Sequence, residues 1–453
     1  KRDKRSIYIP NLCGYFFIFN WTFTFKILET INYLLKSATI IDPKSIFHGK
    51  KRDVLVKGTK IHEIKKRITL NEPYIEIKSK NLHICPGFID IHTRIYEPGL
   101  EFKEDFKSGL NAACSGGFTG IVHMPNTNPP IQNSSDIISI FKKNENNIID
   151  VYPTGSLTKN MDGKEITEIY DMKQNGAIAF TDDKKSIDNA MLMQIAIEYT
   201  KQFNSTIMVT CYDNNMCLEG QINEGKMSTM LGLKGIPNIA EEIRIARDID
   251  LTEYSDGKLH FSTVSTKKSF NLINKAKKKG VNISCDIAAH QLILFDEMII
   301  DFDTNLKLFP PIRDKKIIKE IIKQIQNGTI DVICSDHSPV EIEKKKCSFN
   351  NADFGMIALE TTFPICNTIL KKHVSIEKIV ELLSVNPRKI LNIPYPKIEK
   401  QKIANLTIFD PSEEWTYLEK NIKSKSKNSP FINKTFTGKI IGIINKGKVS
   451  LNN

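Results

Sequence analysis

From about residue 82 to residue 339, short apolar runs alternate with longer segments whose apolar residues recur at positions i, i+3 and i+4. A short apolar run predicts a buried strand, and the longer period predicts an amphipathic helix, as over 240–254 and 315–328. Strands that alternate with helices form a parallel sheet, and eight such units close a (β/α)8 TIM barrel. The predicted strands cover residues 82–92, 119–127, 149–156, 176–183, 206–213, 258–265, 282–290 and 330–339.

Both flanks of this α/β region have a different pattern. Short strand-like segments with turn residues between them precede it from about residue 33, and a similar stretch returns near residue 400. Two β segments that bracket a long middle predict a small β-sandwich domain built from both termini. We therefore expect a composite β domain over 33–80 plus 400–453 and a barrel over 81–399.

The first 32 residues differ from everything that follows. The charged start KRDKR and the apolar stretch LCGYFFIFNWTFTF (12–25) have the outline of a signal peptide. Asn20 and two threonines interrupt the apolar stretch, no small-residue cleavage site follows, and the stretch is too short to span a bilayer. We expect residues 1–32 to be a leader or extension outside the fold, and we predict no membrane association.

The net charge of +12 results from 64 basic and 52 acidic residues. Most of the basic residues are lysines, in short runs without interleaved aromatic residues, which is more typical of a solvated surface than of a nucleic-acid interface. The nine cysteines are scattered and contain no CxxC pair. We expect a protein of the reducing cytoplasm, without disulfides and without nucleic acid as a partner.

Polar residues concentrate where the predicted strands end. His92, Asn126, Asp182 and Asp336 each follow an apolar run. Because chemistry in such barrels takes place at the C-terminal strand ends, these residues predict a pocket there. The stretch PGFIDIHTRIYEPG (86–99) resembles a strand that ends in the metal-binding pattern His-x-His, but its second position is Arg94, which cannot bind a metal.

Several ordered motifs together resemble the dihydroorotases of the amidohydrolase superfamily. They include PGFIDIHTRIYEPGLEFKEDF, AACSGGFTGIVHMPNTNPP, GAIAFTDD, LGLKGIPNIAEEIRIARDI, DGKLHFSTVST, SDHSP and FGMIALETTFP. The resemblance extends over roughly residues 33–450, and so many motifs in order are far more specific than any single one. It implies a site for zinc built from histidines and aspartates at the ends of strands one, four, five, six and eight.

Position by position, half of this implied ligand set is present. His92, Asp182 and Asp336 match the family, whereas its other histidines are replaced by Arg94, Thr210 and Thr263. A threonine hydroxyl is a poor zinc ligand, and Arg94 adds a positive charge. Two alternatives follow: His92, Asp182 and Asp336 hold one zinc ion, or the guanidinium of Arg94 bridges Asp182 and Asp336 in a pocket without metal. We favour the second alternative.

The positions that contact substrate in the family differ as well. The arginine that holds the substrate carboxylate in the family is Tyr96 here, an asparagine is Phe309, and a histidine is Val340, whereas Asn126 is retained. The resemblance implies Asn126, Tyr96 and Arg94 as substrate-binding positions. A further interpretation is an amidohydrolase of altered chemistry, in which Arg94 and Tyr96 bind a different anion.

Two functions remain open. In the first, the protein is a dihydroorotase of pyrimidine synthesis that interconverts carbamoyl aspartate and dihydroorotate, with Asp336 as the catalytic group that takes a proton from water and delivers it to the leaving nitrogen. The incomplete site predicts that this activity is weak or lost. In the second, it is a pseudoenzyme, a non-catalytic homologue that acts as an assembly partner of aspartate transcarbamoylase. We expect a homo-oligomer in either case.

Overall fold

The computed structural model describes residues 32–452. The leader or extension that we predicted over 1–32 therefore lies outside the described residues, except for Asn32, which begins the first strand. Within the described residues, no helix is both long enough and apolar enough to cross a bilayer. The eight cysteines of this part of the chain are all free thiols.

Five strands precede the α/β region: β1 (Asn32–Ile40), β2 (Lys51–Lys57), β3 (Lys60–Lys65), β4 (Tyr74–Ile77) and β5 (His83–Pro86). The α/β region contains β6 (Phe88–Thr93), β7 (Phe118–His123), β8 (Asp150–Pro153), β9 (Ala179–Phe180), β10 (Thr206–Val209), β11 (Ile222–Asn223), β12 (Gly235–Ile236), β13 (Leu259–Phe261), β14 (Ile283–Ala288) and β15 (Val332–Cys334). Three strands follow it: β16 (Leu406–Thr416), β17 (Thr435–Asn445) and β18 (Lys448–Leu451).

The α-helices lie mainly between the strands of the α/β region. They are α1 (Phe106–Ser115), α2 (Ser134–Asn144), α3 (Ile169–Gln174), α4 (Ala190–Lys201), α5 (Asn214–Cys217), α6 (Lys226–Leu231), α7 (Asn238–Ser255), α8 (Lys267–Lys278), α9 (Lys316–Gln326), α10 (Thr362–Leu370), α11 (Ile376–Val380) and α12 (Asn386–Leu391). The helices predicted over 240–254 and 315–328 correspond to α7 and α9 and are confirmed. In α9 the buried residues Ile321, Gln324 and Ile325 follow the helical spacing on which the prediction depends.

Strands from both ends of the chain share one sheet. Its order is β18-β17-β16-β5-β1-β2-β3, with β4 paired to β1. A cluster of buried aliphatic residues, among them Leu35, Val54 and Leu406, forms its core. The two β-rich flanks therefore combine, although the domain boundaries at residues 80 and 400 stay a prediction.

The strands of the α/β region pair in parallel. β6-β7-β8 and β9-β10-β13-β14-β15 are two hydrogen-bonded series. Isolated parallel bridges join Gly155 to Phe180 and Thr93 to His337, so the pairing leads from β8 to β9 and returns from the end of β15 to β6. Each of the eight predicted strand segments overlaps one of these strands, and the predicted parallel sheets are confirmed.

One predicted strand, 82–92, is in fact two. β5 pairs with β1 and β16 in the flanking sheet, whereas β6 pairs with β7 in the parallel series. Gly87 separates them at a position where the backbone approaches its neighbours closely, since a Cβ atom there would lie 2.0 Å from the Thr119 hydroxyl. All six residues of β6 are buried, as expected of a parallel strand covered on both faces.

Candidate active site

The side chains of the candidate site come from the C-terminal ends of the parallel strands. His92 is in β6 and Arg94 follows it, Asp183 and Lys184 follow β9, and Asp336 follows β15. Parallel strands place their carboxyl ends at one edge, so residues far apart in sequence meet there. Asp183 and Asp336 both have left-handed backbone conformations, with φ values of 51° and 54°.

Arg94 is the centre of this cluster. Its side chain is only 2% exposed. Nε donates to Asp183 Oδ2 and Nη2 donates to Asp183 Oδ1, both at 2.6 Å, while Nη1 donates to Asp336 Oδ1 at 3.0 Å. The guanidinium thus holds one carboxylate with two parallel hydrogen bonds and a second with another donor. This is the geometry in which arginine binds carboxylates best.

The structure corrects one predicted partner of Arg94. We expected the bridge to involve Asp182, but Asp183 takes that place. The Asp182 carboxylate instead accepts hydrogen bonds from the backbone N–H of Leu157 at 2.8 Å and of Thr158 at 2.9 Å, and from the Thr158 hydroxyl. The left-handed backbone at Asp183, with a φ of 51°, turns the chain between the two aspartates, so their side chains point in different directions. Asp182 therefore holds a loop and is not a partner of Arg94.

His92 lies beside the pair. Its Nε2 atom is 2.7 Å from Asp183 Oδ1 and 2.9 Å from Arg94 Nη2, and its Nδ1 is 3.9 Å from Asp336 Oδ1. Because a ring nitrogen either donates or accepts, the tautomer decides which of the two Nε2 contacts is a hydrogen bond. In both cases the imidazole is engaged with the arginine–aspartate pair.

A second cation, which the sequence analysis missed, completes the cluster. Lys184 Nζ lies 3.0 Å from Asp336 Oδ2 and donates to the backbone carbonyl of Phe309 at 2.6 Å. Both oxygens of Asp336 therefore face a cation. The only signal in the sequence is the position of Lys184 directly after the two aspartates, and a lysine is too common in this chain to stand out there.

The charges of the cluster are matched. Burial would raise the pKa of Asp183, but Arg94 and His92 lower it well below its ordinary value. Burial would likewise raise the pKa of Asp336, but Lys184 and Arg94 lower it far below the usual range. Both carboxyl groups are therefore anionic at neutral pH, and two cationic side chains neutralise them.

These residues do not fit the zinc site that the family resemblance implies. Arg94 donates to Asp336, one of the implied ligands, and to Asp183, and it carries no lone pair for a metal. Thr210 and Thr263 stand where imidazoles would be needed. Of the two alternatives that the sequence left open, the geometry matches the arginine bridge, with Asp183 in place of Asp182.

One other group of potential ligands lies within the described residues. Single ligand atoms of His92, Asp286 and Cys334 are all within 4.8 Å of one another. Asp286, however, is already engaged by His260 Nε2 at 3.0 Å and by the backbone N–H of Thr263 at 2.6 Å. Burial raises the pKa of the Cys334 thiol well above its ordinary value, so the thiol is protonated at neutral pH when no metal is bound.

A cavity of about 650 Å³ opens above the cluster. The predicted substrate-binding positions Asn126, Tyr96 and Arg94 all line it, together with Asp336. The Tyr96 hydroxyl lies 3.3 Å from the Ser338 hydroxyl. Two further positions at which this chain differs from the family's substrate contacts are Phe309 and Val340. Phe309 also lines this cavity, whereas Val340 borders a different one.

Comparisons of sequence identify relatives over nearly the whole chain. A family model described as "Dihydro-orotase-like" matches residues 82–269. A protein named dihydroorotase from Caldicellulosiruptor saccharolyticus is 42% identical over 422 residues, which are 92% of this chain and 97% of that protein. A dihydroorotase from Aquifex aeolicus is 38% identical and covers 92% of this chain and 99% of its own length.

Comparisons of structure agree on the fold. An L-hydantoinase (dihydropyrimidinase) from Arthrobacter aurescens superposes with a TM-score of 0.80 at 22% identity, over 92% of this chain and 96% of its own. A dihydropyrimidinase from Brevibacillus agri gives a TM-score of 0.78 at 20% identity, over 93% and 95%. At such low identity the likeness concerns the fold alone.

Proposed function

We propose that this chain, which belongs to the dihydroorotase family, keeps the family's pocket but has weak or no dihydroorotase activity. The observation that carries the proposal is the bridge from Arg94 to Asp183 and Asp336, which fills the centre of the site with a fixed guanidinium. Interconversion of carbamoyl aspartate and dihydroorotate in pyrimidine synthesis would be the family reaction at this place.

That reaction needs a group to take a proton from water and a group to stabilise charge on the carbonyl oxygen. Asp336 is the family's candidate for the first task. Here its Oδ1 faces Arg94 and its Oδ2 faces Lys184, each at 3.0 Å. A carboxylate with both oxygens next to cations is a weak base. The positive charge of the Arg94 guanidinium is already offset by two carboxylates, so it would stabilise a developing oxyanion only weakly.

The proposal also includes the domain architecture of the chain. We infer a closed (β/α)8 barrel over 81–399 and a composite β domain over 33–80 plus 400–453. The parallel bridges between Gly155 and Phe180 and between Thr93 and His337 support the closure. The sheet shared by β1 and β16–β18 supports the composite domain.

A second candidate is the role of a non-catalytic scaffold, as an assembly partner of aspartate transcarbamoylase or within a homo-oligomer. The observation that favours it is a set of exposed apolar side chains on α4 and α7, two helices that pack against each other. Met191 and Ile195 of α4 and Ile239 and Ile243 of α7 are all exposed, by 43% to 62%. Exposed apolar patches of this kind often mark protein interfaces.

The deciding experiment measures dihydroorotate hydrolysis by the purified chain with excess zinc, against Asp336→Ala. We expect no difference between the two proteins once both are shown to be folded by their thermal unfolding transitions. Turnover that disappears in Asp336→Ala would overturn the proposal. If both are inactive, addition of aspartate transcarbamoylase during size-exclusion chromatography tests the scaffold role, and a shift in elution volume is the expected sign.

A further inference from the structure

Three aromatic rings form one wall of the cavity above Arg94. The ring centroids of Phe309 and Tyr212 are 4.3 Å apart at 70°, and those of Phe309 and Phe354 are 5.9 Å apart at 84°. All three residues line the cavity. Aromatic faces and edges bind flat rings well, with a preference for stacked or edge-to-face contact. The wall is therefore shaped for a flat ring.

The floor of the cavity offers no free positive charge among the described residues that form it. Arg94 is paired with Asp183 and Asp336, and Lys184 is paired with Asp336 and the Phe309 carbonyl. Lys185 also borders the cavity, but its side chain is exposed at the rim, where water screens its charge. A carboxylate that entered the cavity would lose its hydration without gaining a buried cation.

Tyr96, at the predicted carboxylate-binding position, also disfavours a bound carboxylate. Tyr96 is buried, and its hydroxyl is 3.3 Å from Ser338 Oγ. A phenol provides one neutral donor in place of the two parallel charged donors with which an arginine binds a carboxylate. Tyr96 therefore accommodates an uncharged group more readily than an anion.

Asn126 Oδ1 is one of two buried acceptors at the cavity, with Gln221 Oε1, that lack a partner among the described residues. Asn126 lines the cavity, and its buried Oδ1 accepts no hydrogen bond from the described residues. Buried acceptors in folded proteins are nearly always satisfied. An N–H group on a bound ring would satisfy this one.

We propose that the cavity binds an uncharged flat heterocycle with a ring N–H, such as a pyrimidine base, and discriminates against the same ring with a carboxylate. The aromatic wall supplies the contact area, Asn126 accepts from the ring N–H, and the neutralised floor gives a carboxylate nothing to pair with. The inference rests on the proposed function, since it requires that Arg94 is occupied by the two aspartates.

Isothermal titration calorimetry of the full chain with uracil and with orotate tests this directly, because the two flat rings differ only in a carboxylate. The titrations contain a chelator and physiological salt. We expect uracil to bind at least about tenfold more tightly than orotate, the difference that one unpaired carboxylate makes. Equal or tighter binding of orotate, or no heat from uracil at millimolar concentration with folded protein, would overturn the inference.

Two substitutions test which residues cause the preference for uracil over orotate. Asn126→Ala should weaken uracil binding by about tenfold, the value of one hydrogen bond. Tyr96→Arg should strengthen orotate binding by at least about tenfold, since it adds an unpaired guanidinium. Tyr254→Arg, on an exposed tyrosine of α7, is the matched control and should change neither affinity. Unchanged orotate affinity in a folded Tyr96→Arg variant would count against the inference.

This test and that of the proposed function can fail separately. Neither uracil nor orotate contains the saturated ring that the family reaction opens, so their affinities do not depend on catalysis. Hydrolysis of dihydroorotate would overturn the proposal that dihydroorotase activity is weak or lost, whatever the affinities for uracil and orotate are. A preference for orotate in an inactive protein would overturn only the ligand inference.

Discussion

Arg94 and Asp183 are joined by two parallel hydrogen bonds of 2.6 Å in the buried centre of the α/β region. The arginine follows β6 and the aspartate follows β9, so the pair ties together two strands that are not neighbours in the parallel series. A family resemblance implies a metal ion at this place. Here the chain supplies the positive charge itself, and the two carboxylates that it neutralises need no external cation.

Removal of that charge should destabilise the protein strongly. Arg94→Met keeps most of the side-chain volume but leaves Asp183 and Asp336 buried without the guanidinium. We expect the free energy of unfolding to fall by about 3–5 kcal/mol, the usual effect of breaking a buried ion pair. Urea denaturation followed by circular dichroism measures it. Arg52→Met, on a strand of the flanking sheet where the arginine donates only to the Lys51 carbonyl, should change stability by less than about 0.5 kcal/mol.

The interaction between Arg94 and Asp183 can be isolated in a double-mutant cycle. Asp183→Asn removes the negative charge that Arg94 neutralises, so the two substitutions together should cost less than the sum of their separate effects. We expect a coupling energy of about 1–3 kcal/mol. Additive effects would mean that the two side chains do not interact in solution as they do in the structure.

Much of the fold could be predicted because it depends on local periodicity. Short apolar runs and helical spacing are properties of neighbouring residues, and they placed the parallel strands, α7 and α9. The division of segment 82–92 was not predicted, although the pair Pro86-Gly87 at the junction of β5 and β6 is a turn signal. The two strands then pair with different sheets.

The candidate site was predicted less completely, for a physical reason. Arg94 and Asp336 stand out because each follows a strand within a specific motif. Asp182 and Asp183 are chemically identical neighbours, and the left-handed backbone at Asp183 decides which one faces the centre. Lys184 is one of many lysines, and its role depends on Asp336, which is 152 residues away in sequence.

The different role of Asp182 gives a further prediction. Its carboxylate accepts from two buried backbone N–H groups, so Asp182→Ala leaves both without a partner. We expect the free energy of unfolding to fall by about 2–3 kcal/mol, with uracil affinity unchanged within about twofold because Asp182 does not line the cavity. Loss of ligand binding in a folded Asp182→Ala protein would instead place Asp182 in the site.

Zinc should neither stabilise nor destabilise the native protein. A ligand that binds only the folded state raises the melting temperature, and the arginine-filled centre has no position for the ion. We expect differential scanning fluorimetry to give melting temperatures in excess zinc and in chelator that agree within about 2 °C.

Arg94→His is the matched variant for this measurement. It removes the guanidinium and adds an imidazole beside His92, Asp183 and Asp336, a set of donors that suits one zinc ion. Zinc should raise the melting temperature of this variant by several degrees while leaving the native protein unchanged. A zinc-dependent rise in the native protein would show that Arg94 does not occupy the metal position.

The stability of the native protein should fall as the pH rises from about 4.5 to about 7, because of Glu360. Burial raises the pKa of this carboxyl group to about 7, against the lowering effects of the Lys423 backbone N–H, the Tyr417 hydroxyl and nearby Lys427. In this window the unfolded chain releases the proton and the folded chain keeps it, so the folded state binds more protons and loses stability with increasing pH.

Glu360→Gln should therefore match the native protein at pH 4.5 and exceed its free energy of unfolding at pH 8 by on the order of 2–3 kcal/mol. Urea denaturation of the native protein and the variants across this pH range measures the effect. Glu419→Gln, on an exposed glutamate, is the control and should show the same pH dependence as the native protein. If Glu360→Gln also showed the native pH dependence, the assignment to Glu360 would be wrong.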